Sequence, residues 1–169
     1  MRLHILHKSE EPMADRTEIL DLLHELIQTC KDGETGYAHA SGIATELRLK
    51  AYFSEESLER ARFVRDLKSQ AELMGEKPDP SPSVAGTLHR VWFEAKADLG
   101  LGDQSILNSV EQGEDSAKKS YEEALRLDLP EDVRALIEVQ AKSIFAAHDY
   151  VRDLRDHGIQ SETKRKEVA

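Results

Sequence analysis

A long apolar stripe with helical spacing dominates the first third of the chain. It predicts one long amphipathic helix from about Asp15 to Glu46, with Gly33 filling the one gap in the pattern. Because the stripe has to be buried, it calls for other helices to pack against it. Its residues recur in alternating steps of about four and three: Ile19, Leu23, Leu26, Cys30, Tyr37, Ala40, Ala44 and Leu47.

A second helical stripe follows after a short gap. Ser54, with Glu56 and Ser57 behind it, gives a capping signal that predicts the start of this helix, and Gly75 predicts its end. The proline-rich stretch GEKPDPSPS then divides the chain into two halves. Beyond it, the stripe in residues 83–99 predicts a helix of about 25 Å. That length suits a crossover from one half of a bundle to the other.

Two more helices complete the second half. Asp103 is the predicted cap of a helix that runs to about Leu127. Pro130 predicts the start of a last helix, which ends near Gly158. No segment alternates between apolar and polar residues as a half-buried strand does. The sequence therefore predicts an all-α fold.

The two halves of the chain resemble each other. FVRDL at Phe63 in the second helix matches YVRDL at Tyr150 in the last, and a Gly-Glu pair occurs in both the first and the third helix. Two related hairpins joined by a crossover helix predict a four-helix bundle with approximate two-fold internal symmetry. The predicted organisation is a mobile N-terminal arm at 1–14, the bundle at 15–158 and a polar C-terminal tail at 159–169.

Composition excludes several classes of function. The 169 residues suit one domain, and the net charge of -10 argues against nucleic acid or a membrane surface as a partner, because both need a clustered positive face. No apolar run reaches the roughly 18 residues of a membrane span. The N-terminal apolar run is too short for a signal peptide, so a cytoplasmic location is expected, with Met1 or Met13 as the start. Cys30 is the only cysteine, and its apolar neighbours predict a buried structural thiol.

One titratable residue from each of the four bundle helices is placed to face the interior. Glu34 and Glu114 lie on the flanks of their apolar stripes, and Glu59 and His148 each lie one turn from a stripe residue. Carboxylates and histidines from separate helices are the groups from which metal sites in bundles are built. These four residues are therefore predicted to ligate a metal ion, with iron, manganese or zinc as the candidates.

A glycine directly precedes each of the two interior glutamates. Gly33 and Gly113 each cost about 1 kcal/mol relative to alanine in a helix interior. This cost predicts a close approach at each glycine that offsets it, either by another helix or by a bound ion.

The alternative is that the interior carboxylates are structural. Half-buried glutamates often pair with basic side chains or accept hydrogen bonds from tyrosines. A complete di-iron site needs two Glu-x-x-His motifs, and both are missing. Three residues after Glu59, where a His is needed, position 62 is Arg, and three residues before His148, where a Glu is needed, position 145 is Phe. This argues against an oxygen-activating di-iron enzyme. The kind of metal site that stays open is one that holds a single ion with fewer ligands than a di-iron site has. The candidate basic partners are Arg62, Arg65, Arg152 and His148, and the candidate tyrosines are Tyr37, Tyr121 and Tyr150.

Five stretches of the chain resemble the bacterial ferritin-like four-helix-bundle proteins classified as a domain of unknown function. They are CKDGETGY, LERARF, SVAGTLHRVW, GEDSAKKSYEEAL and AAHDYVRDLRD, which together span most of residues 17–157. The resemblance implies a ferritin-like up-down-down-up bundle and self-association as a homo-oligomer. It also carries the metal ligands of the ferritin superfamily over to Glu34, Glu59, Glu114 and His148.

Three functions follow from these observations. The first is a non-catalytic, self-associating bundle linked to stress or metal homeostasis. The second is a metal-binding redox or storage protein with a reduced carboxylate and histidine ligand set. The third is an adaptor that presents a helix surface, including Trp92, to a protein partner.

Overall fold

The computed structural model describes residues 14–77 and 102–158. These residues form four α-helices and no strand, which confirms the predicted all-α class for this part of the chain. The predicted crossover helix, which contains Trp92, lies outside the described residues. So do residues 1–13 of the predicted N-terminal arm and the whole predicted C-terminal tail. None of the described helices is both long and apolar enough to cross a membrane.

The first helix, α1, is Arg16–Ile43, close to its predicted bounds. Asp15 caps it: the Asp15 carboxylate accepts from the backbone N–H of Thr17 and Glu18, and the Glu18 side chain accepts from the Asp15 N–H. The predicted stripe is buried along the helix, with Leu47 as the exception. Leu47 is 77% exposed because α1 ends before it, so it does not continue the same helical face.

The second helix, α2, is Leu47–Leu73 and begins earlier than predicted. Ser54 lies within this helix and does not cap it, so the capping signal at Ser54 to Ser57 was wrong. The link between α1 and α2 is only three residues long, which forces the two helices into an antiparallel hairpin. Gly75 lies just beyond α2 with a φ of +87°, a conformation that glycine adopts without strain and that ends the helix as predicted.

The third and fourth helices form a second hairpin. Helix α3 is Asp103–Ala124 and α4 is Glu131–His157, with Pro130 preceding α4 and Gly158 ending it as predicted. Asp103 is the first residue of α3 and does not cap it; Gly102 holds the cap position.

The contacts between helix ends define how the helices pack. At the start of α1, Arg16 Nη2 donates to the Met74 carbonyl oxygen just beyond α2 (2.7 Å). At the end of α1, the Asp103 carboxylate accepts from the backbone N–H of Thr45 (2.8 Å) and Glu46 (2.9 Å). Helix α1 therefore runs antiparallel to both α2 and α3 and packs against both.

Helix α4 completes the arrangement by packing against α3 and contacting α2. Gln70, near the end of α2, donates to Asp132 near the start of α4 (2.7 Å). Near the other ends of the same two helices, the rings of Tyr52 and Tyr150 lie 4.7 Å apart between centroids. These contacts show that α2 and α4 also run antiparallel.

The core consists of two apolar clusters stacked along the helices. One includes Leu23, Phe63 and Ile137, and the other includes Phe53 and Val151. The two clusters are separated by about two turns along α1, α3 and α4 and by nearly three turns along α2. The buried polar residues Arg60, Glu114 and His148 come from these intervening turns, so the middle of the bundle is where a site can form.

Candidate functional site

An ionic cluster of Glu56, Arg60 and Glu114 lies at the middle of the bundle. The Arg60 side chain, on α2, is 1% exposed, and its Nη2 donates to Glu114 Oε1 on α3 across 2.8 Å. The same Nη2 lies 3.4 Å from Glu56 Oε2, one turn earlier on α2. One buried guanidinium therefore lies between two carboxylates, and it joins the first hairpin to the second.

Gly33 makes room for the Arg60 side chain. A Cβ atom built at Gly33 would lie 3.3 Å from Arg60 Cγ and 3.4 Å from Cδ. The stem of Arg60 thus passes directly over the backbone of α1 on its way to Glu114. This confirms the predicted close approach at Gly33, and the approaching group is an arginine side chain.

Aromatic rings surround the guanidinium. The Arg60 Cζ atom lies 5.5 Å from the centroid of the Tyr37 ring and 5.8 Å from that of Phe63. Tyr52 extends the aromatic layer, with its ring perpendicular to that of Tyr37 at 6.3 Å. Cation–π attraction is strongest when the cation is removed from water, as Arg60 is.

Burial changes the acidity of the groups in this cluster. It raises the pKa of Glu56 to about 7, although the nearby guanidinium of Arg60 opposes the shift. Burial alone would lower the pKa of Arg60, but Glu114 and Glu56 outweigh it and raise that pKa above its usual range. Arg60 therefore remains a fixed cation, and Glu56 exchanges a proton near neutral pH.

A second buried polar network lies one turn away and links all four helices. Tyr121 on α3 donates to Gln140 Oε1 on α4 (2.7 Å), and Gln140 Nε2 donates to the Phe63 carbonyl oxygen on α2 (3.4 Å). The Cys30 sulfur on α1 lies 3.1 Å from the Tyr121 hydroxyl oxygen. Since the tyrosine proton goes to Gln140, the Cys30 thiol is the donor in that contact.

The Cys30 thiol is structural, as predicted. It is fully buried, and burial raises its pKa to about 11. A thiol with a raised pKa is a poor nucleophile because the thiolate is the reactive form.

A groove between α1 and α3 lies beside the ionic cluster. It has a volume of about 460 Å³, and Gly33 and Gly36 line it from α1 while Gly113 and Glu114 line it from α3. A Cβ atom at Gly113 would meet nothing within 4 Å. No described helix approaches Gly113, which faces open space in the groove, and an approach by a bound ion stays a prediction.

The sequence matches a known family over the residues that build this site. Residues 18–127 match a domain of unknown function, DUF2383. The chain belongs to the DUF2383 family. A comparison with curated proteins found no match. The DUF2383 match includes α1, α2 and α3, and with them the whole ionic cluster and the groove, but it ends before α4.

Two of the four predicted ligands lie in or near the cluster of this DUF2383 protein. Glu114 is buried and pairs with Arg60. Glu34 is half-buried on α1, where its backbone carbonyl accepts from the Ser57 hydroxyl (2.9 Å). Tyr121, a predicted partner for these glutamates, donates to Gln140.

The other two predicted ligands have partners of their own. Glu59 is half-buried and accepts from Arg62 (2.8 Å) and from the Ser143 hydroxyl (2.9 Å). His148 is buried between two aspartates: its Nε2 lies 2.9 Å from Asp115 and its Nδ1 lies 3.0 Å from Asp149. The His148 bond lowers the pKa of the Asp149 carboxyl.

Across residues 14–77 and 102–158, no three His, Cys, Asp or Glu side chains come together in a way that could hold a metal ion. Glu59, Glu114 and His148 thus each have side-chain partners of their own, and the contact of Glu34 is made by its backbone carbonyl. Their role as metal ligands stays a prediction for metal analysis to test.

Sequence reasoning missed Arg60, the residue that organises the site. The predicted basic partners were other residues on α2 and α4. A signal was present, however, because Phe53, Arg60 and Leu67 follow one another at intervals of seven. That spacing puts Arg60 on the buried face of α2, and an arginine there needs an acidic partner from another helix.

Proposed function

We propose that this protein is a non-catalytic helical bundle that acts through association, with links to stress or metal homeostasis. The observation that carries the proposal is the 2.8 Å contact between Arg60 and Glu114. A buried carboxylate needs a compensating cation, which in metal-binding bundles is the metal ion. Here the chain supplies that cation itself.

We also propose a ferritin-like up-down-down-up topology with the crossover helix at residues 83–99. The proposal is supported by the helix ends: α2 ends beside the start of α1, and α3 begins beside the end of α1. A connection between α2 and α3 must therefore span the length of α1, about 42 Å for its 28 residues. A helix of about 25 Å flanked by short extended segments reaches that far.

Self-association is supported by exposed leucines on α2. Leu47, Leu58 and Leu73 are 77%, 70% and 81% exposed. At 100° per residue they lie within about 80° of one another around the helix axis. These three leucines, 11 and 15 residues apart, mark the side of α2 against which a second chain packs in this proposal.

Metal analysis tests the non-catalytic proposal. The wild-type protein, Glu114→Gln and Glu34→Gln are purified from medium supplemented with iron, manganese and zinc, and metal per chain is measured by mass spectrometry. We expect sub-stoichiometric metal in all three. We also expect Glu114→Gln to lower the free energy of unfolding by about 3–5 kcal/mol, because Arg60 loses its buried partner. Glu34→Gln serves as the control, with a change within about 0.5 kcal/mol.

The metal-binding alternative has one observation in its favour. Glu114 Oε2 is buried and has no hydrogen-bond partner among the described protein groups. If wild-type protein carries one metal ion per chain and Glu114→Gln loses it, the non-catalytic proposal is wrong and the metal-binding one replaces it. The adaptor hypothesis depends on Trp92, outside the described residues, and stays a prediction for pull-down experiments.

A further inference from the structure

The groove between α1 and α3 has a volume of about 460 Å³, enough for a small organic molecule. Its walls are small residues, with Gly33 and Gly36 on α1 and Gly113 and Ala117 on α3. A helix-interior glycine that meets nothing within 4 Å gains nothing from packing, and Gly113 is such a residue. With no side chain at Gly113, this wall of the groove is open to a ligand.

A buried carboxylate oxygen without a partner lies at this groove. Glu114 is 2% exposed and lines the groove, and its Oε1 accepts from Arg60. Its Oε2 accepts no hydrogen bond from any described protein group. Buried carboxylate oxygens are normally satisfied, so this atom is open to a donor from outside the chain. The Tyr37 hydroxyl, on the same lining, also has no partner among the described groups and is open to a polar atom of the same ligand.

The charges of the groove select the kind of donor. The only other charged side chain on its described lining is Asp32, and no Lys or Arg lines it. The hydroxyls of Ser116 and Ser120 add further hydrogen-bond acceptors. An anionic ligand would meet two carboxylates there, whereas a cation with N–H donors would complement them.

We propose that this groove binds an organic ammonium ion. Its apolar chain lies along the glycine-lined walls, and its ammonium group donates to Glu114 Oε2. The apolar walls and the absence of a three-ligand cluster among the described residues favour an alkyl ammonium ion over a bare metal ion. The proposal goes beyond the proposed function. It uses the same Glu114 Oε2 atom as the metal-binding alternative, so a metal ion on that atom would compete with the ammonium group.

Titration of the full-length protein with hexylammonium chloride tests this proposal. The chemical shifts of the backbone amides are followed by NMR. Hexanol is the uncharged probe with the same alkyl chain length. We expect saturable shifts confined to the amides of residues 29–37 and 109–120, and affinity for hexanol weaker by at least about tenfold. No shifts at these amides, or equal affinity for both probes, would overturn the proposal.

A pair of glycine variants provides a matched control. Gly113→Leu places a side chain in the groove, while Gly42→Leu places the same side chain on an exposed part of α1 where a Cβ also meets nothing within 4 Å. We expect Gly113→Leu to weaken hexylammonium binding by at least about tenfold and Gly42→Leu to leave it unchanged. Circular dichroism of both variants checks that the helices remain formed. Unchanged binding in a folded Gly113→Leu would also overturn the proposal.

Discussion

Gly33 and Gly113 each precede a glutamate, but their surroundings differ. A Cβ at Gly33 would press on the stem of Arg60, which is buried and held by its bond to Glu114, whereas a Cβ at Gly113 enters open space. We therefore expect Gly33→Ala to lower the free energy of unfolding by about 1–2 kcal/mol, because overpacking outweighs the helix propensity of alanine. Gly113→Ala should raise it by up to about 1 kcal/mol.

Urea unfolding followed by circular dichroism measures both changes. Gly42→Ala is the control for helix propensity alone, since Gly42 is exposed and has open space around it. Equal effects of Gly33→Ala and Gly113→Ala would show that Arg60 does not constrain α1.

Glu56 is expected to make folding stability depend on pH. Burial raises its pKa from 4.5 to about 7, so the folded state binds this proton more tightly than the unfolded state. The resulting stabilisation is complete below pH 4.5 and is lost as the pH rises to about 7. Glu56→Gln, which has no proton to lose, should therefore lack this component of the pH dependence.

The measurement is urea unfolding of wild type and Glu56→Gln at a series of pH values. Other titrating groups affect both proteins, so the difference between the two profiles isolates Glu56. The groups that face Glu56 are Arg60, Glu114, Glu59 and Tyr52, and both proteins retain them. Parallel profiles across this range would mean that the Glu56 carboxyl is not desolvated in the folded state.

At the scale of single residues, the sequence predicted which positions are buried better than which residues pair. The apolar stripes of all four helices were assigned from spacing alone, since a buried face repeats at every turn. The partner of Glu114 could not be assigned in this way. A long arginine side chain reaches across helices, so its contacts depend on how the helices pack and not on local periodicity.

At the scale of helices, Asp103 supports the link between the two halves of the described chain. It begins α3, but its carboxylate accepts from the Thr45 N–H (2.8 Å), the Thr45 hydroxyl (2.8 Å) and the Glu46 N–H (2.9 Å). Glu46, which precedes α2, makes no capping bond with its own side chain. Asp103 therefore satisfies the backbone of the α1–α2 link from another helix.

We expect Asp103→Ala to lower the free energy of unfolding by about 1–2 kcal/mol, as for the loss of a helix cap. Burial alone would raise the pKa of Asp103, but the bonds from Thr45 and Glu46 outweigh it and hold that pKa below its usual range. The stabilisation by the Asp103 carboxylate is thus present above the pKa that Asp103 has in the unfolded chain, and it is lost as the pH falls. Asp103→Asn, which keeps one acceptor oxygen, should lower the free energy of unfolding by less than Asp103→Ala does. An equal decrease in both variants would contradict the capping role.

Helix boundaries show where prediction from sequence stops. Asp15, Gly75 and Gly158 act through their own backbone neighbours, and the helix ends they mark were predicted. Asp103 and Ser54 were assigned as caps by the same local rule, and both assignments were wrong. Asp103 caps a distant segment, and Ser54 lies seven residues after Leu47, where α2 begins.

At the scale of the whole molecule, two polar networks cross the apolar core. The ionic cluster joins α2 to α3, and the Cys30, Tyr121 and Gln140 network joins all four helices. Buried polar groups cost free energy when they lose their partners, so they disfavour other registers of the same helices. We infer that these networks fix the alignment of the two hairpins.

The exposed leucines of α2 lead to a prediction about assembly. If Leu47, Leu58 and Leu73 form the self-association surface, a charge in the middle of the row should disrupt it, because a charge cannot be buried unpaired. We expect wild-type protein to be at least dimeric by light scattering coupled to size exclusion, and Leu58→Glu to be monomeric. Val139→Glu is the control, since Val139 is also 70% exposed but lies on α4. A monomeric wild type would rule out self-association, and equal disruption by both variants would exclude α2 as its specific surface.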